Sequence, residues 1–395
     1  MPIIFVYCIG GNDIMIFVTP SLIGNEIGVI EKIDEIRRRL NIALRSPMRW
    51  TGLLRRNMLA RAIQGSNTIE GYNVTFEQAV AVVEGEEIET AMDTRQALLG
   101  YRNALTYILQ LSEDRHFKFN EELIRSLHYM MISHDVTKHP GRWRPGPIFV
   151  RREPSGERVY EGPDAGLVPD LMREFVEGVQ SANDSVPPIV RAAMAHLNLV
   201  MIHPFSDGNG RMGRAVQTYV LSRDGILYPT FSSIEEYLGS RGNTEAYYEI
   251  LGEVGKGSWH PENDARPWVR FCLRAHYQQA VTVDRRMKEI ARLWSDLEEE
   301  LHKHKLPERM IMALYEAAIG FRVRTTRYST MAEVSAQVAS KDLHTLVKLG
   351  LLLPKGEKRG RIYIAAPVLR EIRDKSREPR TPVGDVFEGQ PNLPI

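Results

Sequence analysis

The sequence predicts a mainly α-helical protein. Two patterns carry this. Apolar residues recur at three- and four-residue spacing through most of the chain, and no stretch alternates with period two over a useful length before the C-terminal region. One internal segment, 139–162, breaks the helical pattern; it is rich in Gly, Pro and Arg and leaves room for a single small hairpin.

Residues 26–44 set Ile27, Ile30, Ile33, Ile36 and Leu40 near helical spacing, and 53–63 continue in the same style toward a stop near Gly65. Further helices are predicted over 76–83, 91–111, 120–132, 167–179, 188–202, 211–222 and 244–254, and the longest over about 267–302. The short apolar run Ile148, Phe149 and Val150, with Pro154, Ser155 and Gly156 following, predicts a β-hairpin over 148–160. A hairpin inserted in a helical scaffold is a natural binding flap. After about residue 304 the pattern is a helix over 307–319, a helix-turn-helix pair over 331–339 and 341–349, and a hairpin around the Lys- and Gly-rich tip 355–361. Three helices and a terminal hairpin resemble a winged helix. The late prolines Pro379, Pro382, Pro391 and Pro394 point to a disordered tail. The expected layout is a poorly ordered extension over 1–24, a helical region over 25–112, a central domain over 113–280, a connecting helix over 281–304, a winged helix over 305–370 and a disordered tail over 371–395.

A length of 395 residues fits two or three domains and needs no disulfide or metal staple. A net charge of +1 excludes a uniformly basic nucleic-acid coat, and by itself gives no support for strong non-specific DNA binding. Two cysteines, Cys8 and Cys272, exclude a disulfide framework and a four-Cys zinc site, which suits a reducing compartment. The apolar stretch 1–18 is interrupted by Asp13 and by glycines and has no Lys or Arg before it, so it reads neither as a signal peptide nor as a membrane span. Met15 is an alternative start. A cytoplasmic protein with no membrane association is expected.

One segment carries chemistry: His203, Pro204, Phe205, Ser206, Asp207, Gly208, Asn209, Gly210, Arg211, Met212, Gly213 and Arg214 in succession. Gly208 and Gly210 permit a backbone that exposes consecutive N–H groups at a helix start, where the dipole favours an anion. Arg211 and Arg214, spaced i, i+3, project two guanidinium forks suited to phosphate from one helix face. Asp207 adds a carboxylate that suits Mg²⁺ held against phosphates. His203 can take a proton from an attacking hydroxyl. The G-x-G-x-x-G reading of 208–213 as a dinucleotide fingerprint fails, because a helix rather than a strand precedes it. Gly255 and Lys256 fail as a Walker loop, since Gly257 follows.

These residues resemble the active-site motif of the Fic (Fido) family, HPFxDGNGRxxR, at every specified position. Pro140, Gly141, Arg142, Trp143 and Arg144 resemble the family's segment before the flap. The resemblance implies a Fic-type helical bundle with a β-hairpin flap, followed by a winged helix-turn-helix domain. It also implies transfer of AMP from ATP, with Mg²⁺, to a Ser, Thr or Tyr hydroxyl of a target protein. On that reading His203 is the general base, Phe205 anchors the loop and Asp207 positions Mg²⁺. Gly208, Asn209, Gly210 and Gly213 belong to the nucleotide-binding set, Arg211 neutralises phosphate charge and Arg214 holds the γ-phosphate. Tyr247 and Tyr248 resemble a segment lining the adenine pocket; packing of an amphipathic helix explains them as well.

Upstream, 66–71 is similar to the family's inhibitory motif S/T-x-x-x-E-G/N, with Ser66 and Glu70 spaced i, i+4 on one helix face. Glu70 is an anion suited to pair with Arg214, which implies a resting enzyme inhibited in cis. The resemblance leaves open use of another nucleotide, AMP removal, and DNA binding through the winged helix, where Lys341, Lys348 and the tip 355–361 could meet phosphates. A homodimer through the helix 267–302 is a further expectation. His128, His196 and His276 read as packed or solvated.

Overall fold

The computed structural model describes residues 16–45, 48–114, 116–152, 155–181, 185–223, 225–357, 361–379 and 384–388, and 65% of the protein is helix. The chain divides into two compact units. The first comprises 1–46, 55–281 and 383–395; the second comprises 47–54 and 282–382.

In the first unit the order is α1 (Gly24–Arg45), α2 (Thr51–Ile69, from residue 55), α3 (Phe76–Val83), α4 (Met92–Glu113), α5 (Glu121–Ile132), β1 (Phe149–Arg152), β2 (Glu157–Glu161), α6 (Val168–Gln180), α7 (Pro188–Ile202), α8 (Asn209–Ser222), α9 (Pro229–Ser232), α10 (Glu235–Leu238), α11 (Asn243–Gly255) and the start of α12 (Arg266–Lys303). Starts follow sequence. The Asn120 side chain accepts from the Leu123 N–H, and Thr75 and Gln78 form a capping box.

The centre is α7, apolar on nearly all sides, with every residue from Ala192 to Ile202 buried. It packs along α8. Gly213 makes this approach possible: a Cβ there would lie 2.7 Å from both His196 Cδ2 and Val200 Cγ1. The Trp268 indole N–H donates to the Ala193 carbonyl at 2.7 Å, tying α12 to α7.

In the second unit, α13 (Ile311–Ala318), α14 (Thr325–Met331) and α15 (Ala336–Lys348) precede a hairpin of β3 (Leu352–Lys355) and β4 (Ile362–Ala365), then α16 (Pro367–Ser376). Val323 bridges Tyr363 as a third short antiparallel contact. Leu314, Tyr328, Leu343, Leu346, Leu352, Tyr363 and Leu369 fill its core.

Several expectations need correction. α2 does not stop near Gly65 but runs to Ile69; Gly65 is there because a Cβ would meet the Glu235 carbonyl oxygen at 2.2 Å. The helix pair is Thr325–Met331 and Ala336–Lys348, not 331–339 and 341–349. Glu333 takes a left-handed conformation (φ 53°) that stops α14, and the Ser335 side chain caps α15 by accepting from the Val338 N–H. The extension 1–24 is packed over its described part: Phe17 is buried, its N–H donates to Asn198 Oδ1 at 2.8 Å, and Asn198 Nδ2 donates back to its carbonyl. Residues 371–376 belong to α16 rather than to a tail. Residues 384–388 also pack, with Val386 and Phe387 buried and Asp385 accepting from Arg274. Residues 1–15, the hairpin residue Pro154, the tip residues 358–360, and the tail prolines Pro382, Pro391 and Pro394 lie outside the described residues.

Candidate active site

The site is the turn between α7 and α8. His203 closes α7 in the left-handed region (φ 53°, ψ 56°), and Pro204 forbids a further helical turn. Its Nδ1 lies 3.0 Å from the Val200 carbonyl oxygen, which can only accept, so Nδ1 carries the proton and Nε2 keeps its lone pair. Burial holds the pKa of the ring below the usual histidine value. Arg144 acts the same way, while the Val200 bond, Glu70 and Asp207 oppose it. The ring is therefore neutral at pH 7, as a general base must be.

The loop beyond His203 is held through its backbone. The Asn209 side chain closes it, donating to the Phe205 carbonyl at 2.8 Å and accepting from the Phe205 N–H at 3.0 Å. The buried Phe205 ring stacks on His128, with centroids 3.7 Å apart and planes 7° from parallel. His128 Nδ1 accepts from the Gly141 N–H at 2.9 Å, so its Nε2–H donates to the Asp207 carbonyl at 3.0 Å. Burial pushes its pKa down to about 4 and keeps it neutral. Arg144, 3% exposed, donates from Nε to the His203 carbonyl at 2.9 Å, from Nη1 to the Gly146 carbonyl at 2.7 Å and from Nη2 to the Pro163 carbonyl at 2.5 Å. Its backbone N–H donates to the Pro204 carbonyl at 2.8 Å. Sequence reasoning missed His128 and Arg144 as loop supports. The available signal was an arginine inside the Gly- and Pro-rich segment with no carboxylate nearby in sequence.

At the far end of the loop, Gly208 (φ 74°) opens α8. Arg211 is 2% exposed, and among the described residues its Nε and Nη1 have no hydrogen-bond partner. Arg214 is 1% exposed. Its Nε donates to Ser66 Oγ at 2.8 Å, and its Nη2 donates to the Ser66 carbonyl at 3.1 Å and to Glu70 Oε1 at 2.6 Å. Burial works against the charge of Arg214, but Glu70, helped by Tyr247 and Tyr101, more than offsets it and keeps the guanidinium protonated. Glu70 sits one residue past the end of α2, in a turn closed by its own N–H donating to the Asn67 carbonyl at 3.1 Å. A Cβ on Gly210 would lie 2.6 Å from Glu70 Oε1, so the carboxylate occupies the open space over the first turn of α8, where an anion is favoured.

Asp207 Oδ1 accepts from the Gly208 N–H at 2.6 Å, and Oδ2 faces Lys138 Nζ at 3.7 Å. Among the described residues no three His, Cys, Asp or Glu side chains gather as metal ligands. A single, partly exposed carboxylate fits an ion such as Mg²⁺, which keeps several waters and is shared with substrate phosphates.

The other predicted positions are engaged in packing or in bonds within the protein. Tyr247 is 1% exposed, donates its hydroxyl proton to His196 Nε2 at 3.0 Å and packs near Trp268. Its ring packs in the core. Tyr248 is 49% exposed, and its hydroxyl donates to the Ile69 carbonyl at 3.2 Å, so it ties α11 to the end of α2. Gly213 faces α7, Phe205 is buried packing and the Asn209 side chain is consumed within the loop. Their part in ligand binding reduces to shaping the loop and, for Asn209, to its backbone N–H.

Residues 118–221 match the model of the Fic/DOC family. The chain is 26% identical over 249 residues to the protein adenylyltransferase Fic of Nematostella vectensis, covering 62% of this chain and 53% of that protein. It is 30% identical over 207 residues to the protein adenylyltransferase Fic of Culex quinquefasciatus, covering 51% and 37%. The chain thus spans about half the length, or less, of these curated relatives. Among solved structures, a Fic family protein from Desulfovibrio desulfuricans G20 superposes with a TM-score of 0.56 at 22% identity, covering 88% of this chain and 98% of that one. A C. elegans Fic-1 fragment gives 0.51 at 22% identity, covering 67% and 73%. At these identities the likeness is one of fold.

Proposed function

We propose, from the premise that this chain is a Fic/DOC family protein distantly homologous to protein adenylyltransferase Fic, that it transfers AMP from ATP to a hydroxyl side chain of a target protein. One observation supports this above the rest: a histidine with a free Nε2 stands at one end of a rigid loop, and two buried arginines flank a helix N-terminus at the other. In the reaction, His203 Nε2 takes the hydroxyl proton, the hydroxyl oxygen bonds to the α-phosphorus, and the bond to the bridging oxygen breaks to release pyrophosphate. The first-turn N–H groups of α8, with Arg211 and Arg214, meet the charge on the phosphates. Asp207 would hold Mg²⁺, which neutralises phosphate charge when bound. The hairpin presents the target. β2 is partly covered by the bridge from Glu161 to Ser258, whereas β1 has an open edge that suits strand addition.

The resting state is inhibited in cis. Glu70 takes the Nη2 of Arg214 that a γ-phosphate would need, and its carboxylate lies where phosphate charge would sit. Incubation of the Glu70→Gly protein with ATP labelled at the α- or the γ-phosphorus tests the chemistry. The α-label should become protein-bound and the γ-label should leave with pyrophosphate. Retention of the γ-label would replace nucleotidyl transfer by phosphoryl transfer, and a preference for GTP, CTP or UTP in the same assay would replace ATP.

A further inference from the structure

The near-neutral charge of the whole chain conceals an uneven distribution. Residues 47–54 and 282–382, the second unit, contain 22 Lys and Arg against 14 Asp and Glu, while the rest of the chain contains 29 against 36. The second unit is therefore basic and the remainder acidic, an asymmetry that points to a polyanionic partner.

The structure sharpens this. α14 and α15 are joined by the four residues Ala332, Glu333, Val334 and Ser335, the length of a helix-turn-helix connection. On α15, Gln337, Lys341, His344 and Lys348 are all exposed and spaced four, three and four apart, which sets them in one stripe about 16 Å long. The acid on this helix points the other way. Asp342 is 2% exposed, accepts from Arg309 at 2.7 and 3.0 Å and accepts the Tyr328 hydroxyl at 3.0 Å. Glu316, also 2% exposed, pairs with Arg327 at 2.9 Å. Two of the unit's acids are thus turned inward onto arginines, leaving Lys341 and Lys348 on the surface, where neither forms an ion pair among the described residues. The hairpin that follows brings a further exposed lysine, Lys355, at the end of β3.

We infer that the second unit binds double-stranded DNA, with α15 entering the major groove through Gln337, Lys341, His344 and Lys348, and with Lys355 at the end of β3 meeting the flanking backbone. The B-form major groove admits one α-helix, glutamine suits an adenine edge, and lysines suit phosphates or guanine. Glu333 is exposed in the turn before α15. The inference is independent of the nucleotidyl-transfer reading, since it uses none of the site around His203.

The test is fluorescence anisotropy of the full chain on a labelled 25-base-pair duplex of mixed sequence, across a salt series. Binding at low salt is expected, with log K falling against log salt with a slope of about −3 or steeper. Lys341→Ala/Lys348→Ala should weaken binding at low salt at least about tenfold and make the slope shallower by about 2. Lys341→Arg/Lys348→Arg should retain it, as should Lys32→Ala/Arg38→Ala on α1. No binding at low salt, equal loss in the α1 variant, or equally tight binding of poly-glutamate of matched charge would overturn the inference; the last result would assign the stripe to an acidic protein.

Discussion

The loop 203–209, which leads into α8, and residues 66–70, which bond Arg214 on α8, are held in different ways. The loop is fixed by three buried side chains, Arg144, His128 and Asn209, each bonded to its backbone, and by the stacked Phe205 ring. Glu70 follows the last turn of α2, its side chain is 21% exposed, and it reaches Arg214 through one carboxylate oxygen. Buried, fully bonded donors are costly to disturb, whereas a partly solvated carboxylate can leave and be rehydrated. On the proposed reading, the reactive loop is preformed and the restraint on it is a local contact.

The largest effect should come from the loop's own chemistry. His203→Ala in the Glu70→Gly background should lower the rate of AMP incorporation ~10²–10⁴-fold, with the melting temperature unchanged. Arg144→Met leaves three carbonyls without their charged donor, and should cost about 2–4 kcal/mol of stability in denaturant unfolding and lower incorporation with it. An Arg144→Met protein as stable as the parent would show that the loop does not need this clamp.

Acid should loosen the loop and the helices beneath it. His128 is held at about 4, and His196 and His276 at about 3, all by burial. Folded, they stay neutral; unfolded, they take up protons below about pH 6.5, so unfolding is favoured as pH falls through that value. Glu235, pushed up to about 7 by burial, acts in the opposite sense by holding a proton in the fold. Three histidines outweigh the one carboxyl, so unfolding takes up protons on balance and stability falls as pH drops from about 6.5 toward 5. A pH series of urea midpoints checks this; a flat profile from pH 7 to 5 would contradict it. The smallest effect is on the restraint. Tyr248→Phe removes the bond to the Ile69 carbonyl, worth about 0.5–1.5 kcal/mol, and should raise basal incorporation only a fewfold.

The sequence made some of this legible and hid the rest for physical reasons. The turn 203–214 was readable because glycines, arginines and a histidine in one window have few other uses together. Ser66 and Glu70 were readable from spacing, although their meeting with Arg214 is a long-range contact. His128 and Arg144 act through backbone carbonyls, which every residue carries, so their partners leave no trace in sequence. Gly213 lies within the motif and Tyr247 well beyond it on α11, yet both pack against His196 of α7, because each helix turns one side to α7. The helix pair of the second unit was misplaced by several residues, since the Glu333 turn uses no glycine or proline.

The central claim is that Glu70 alone stands between a finished site and its substrate. Its most direct test is the rate of AMP incorporation by wild-type and Glu70→Gly protein side by side, at equal concentration with α-labelled ATP. Release of Arg214 should raise the rate by about tenfold or more. Equal rates, with both proteins equally stable, would contradict the claim.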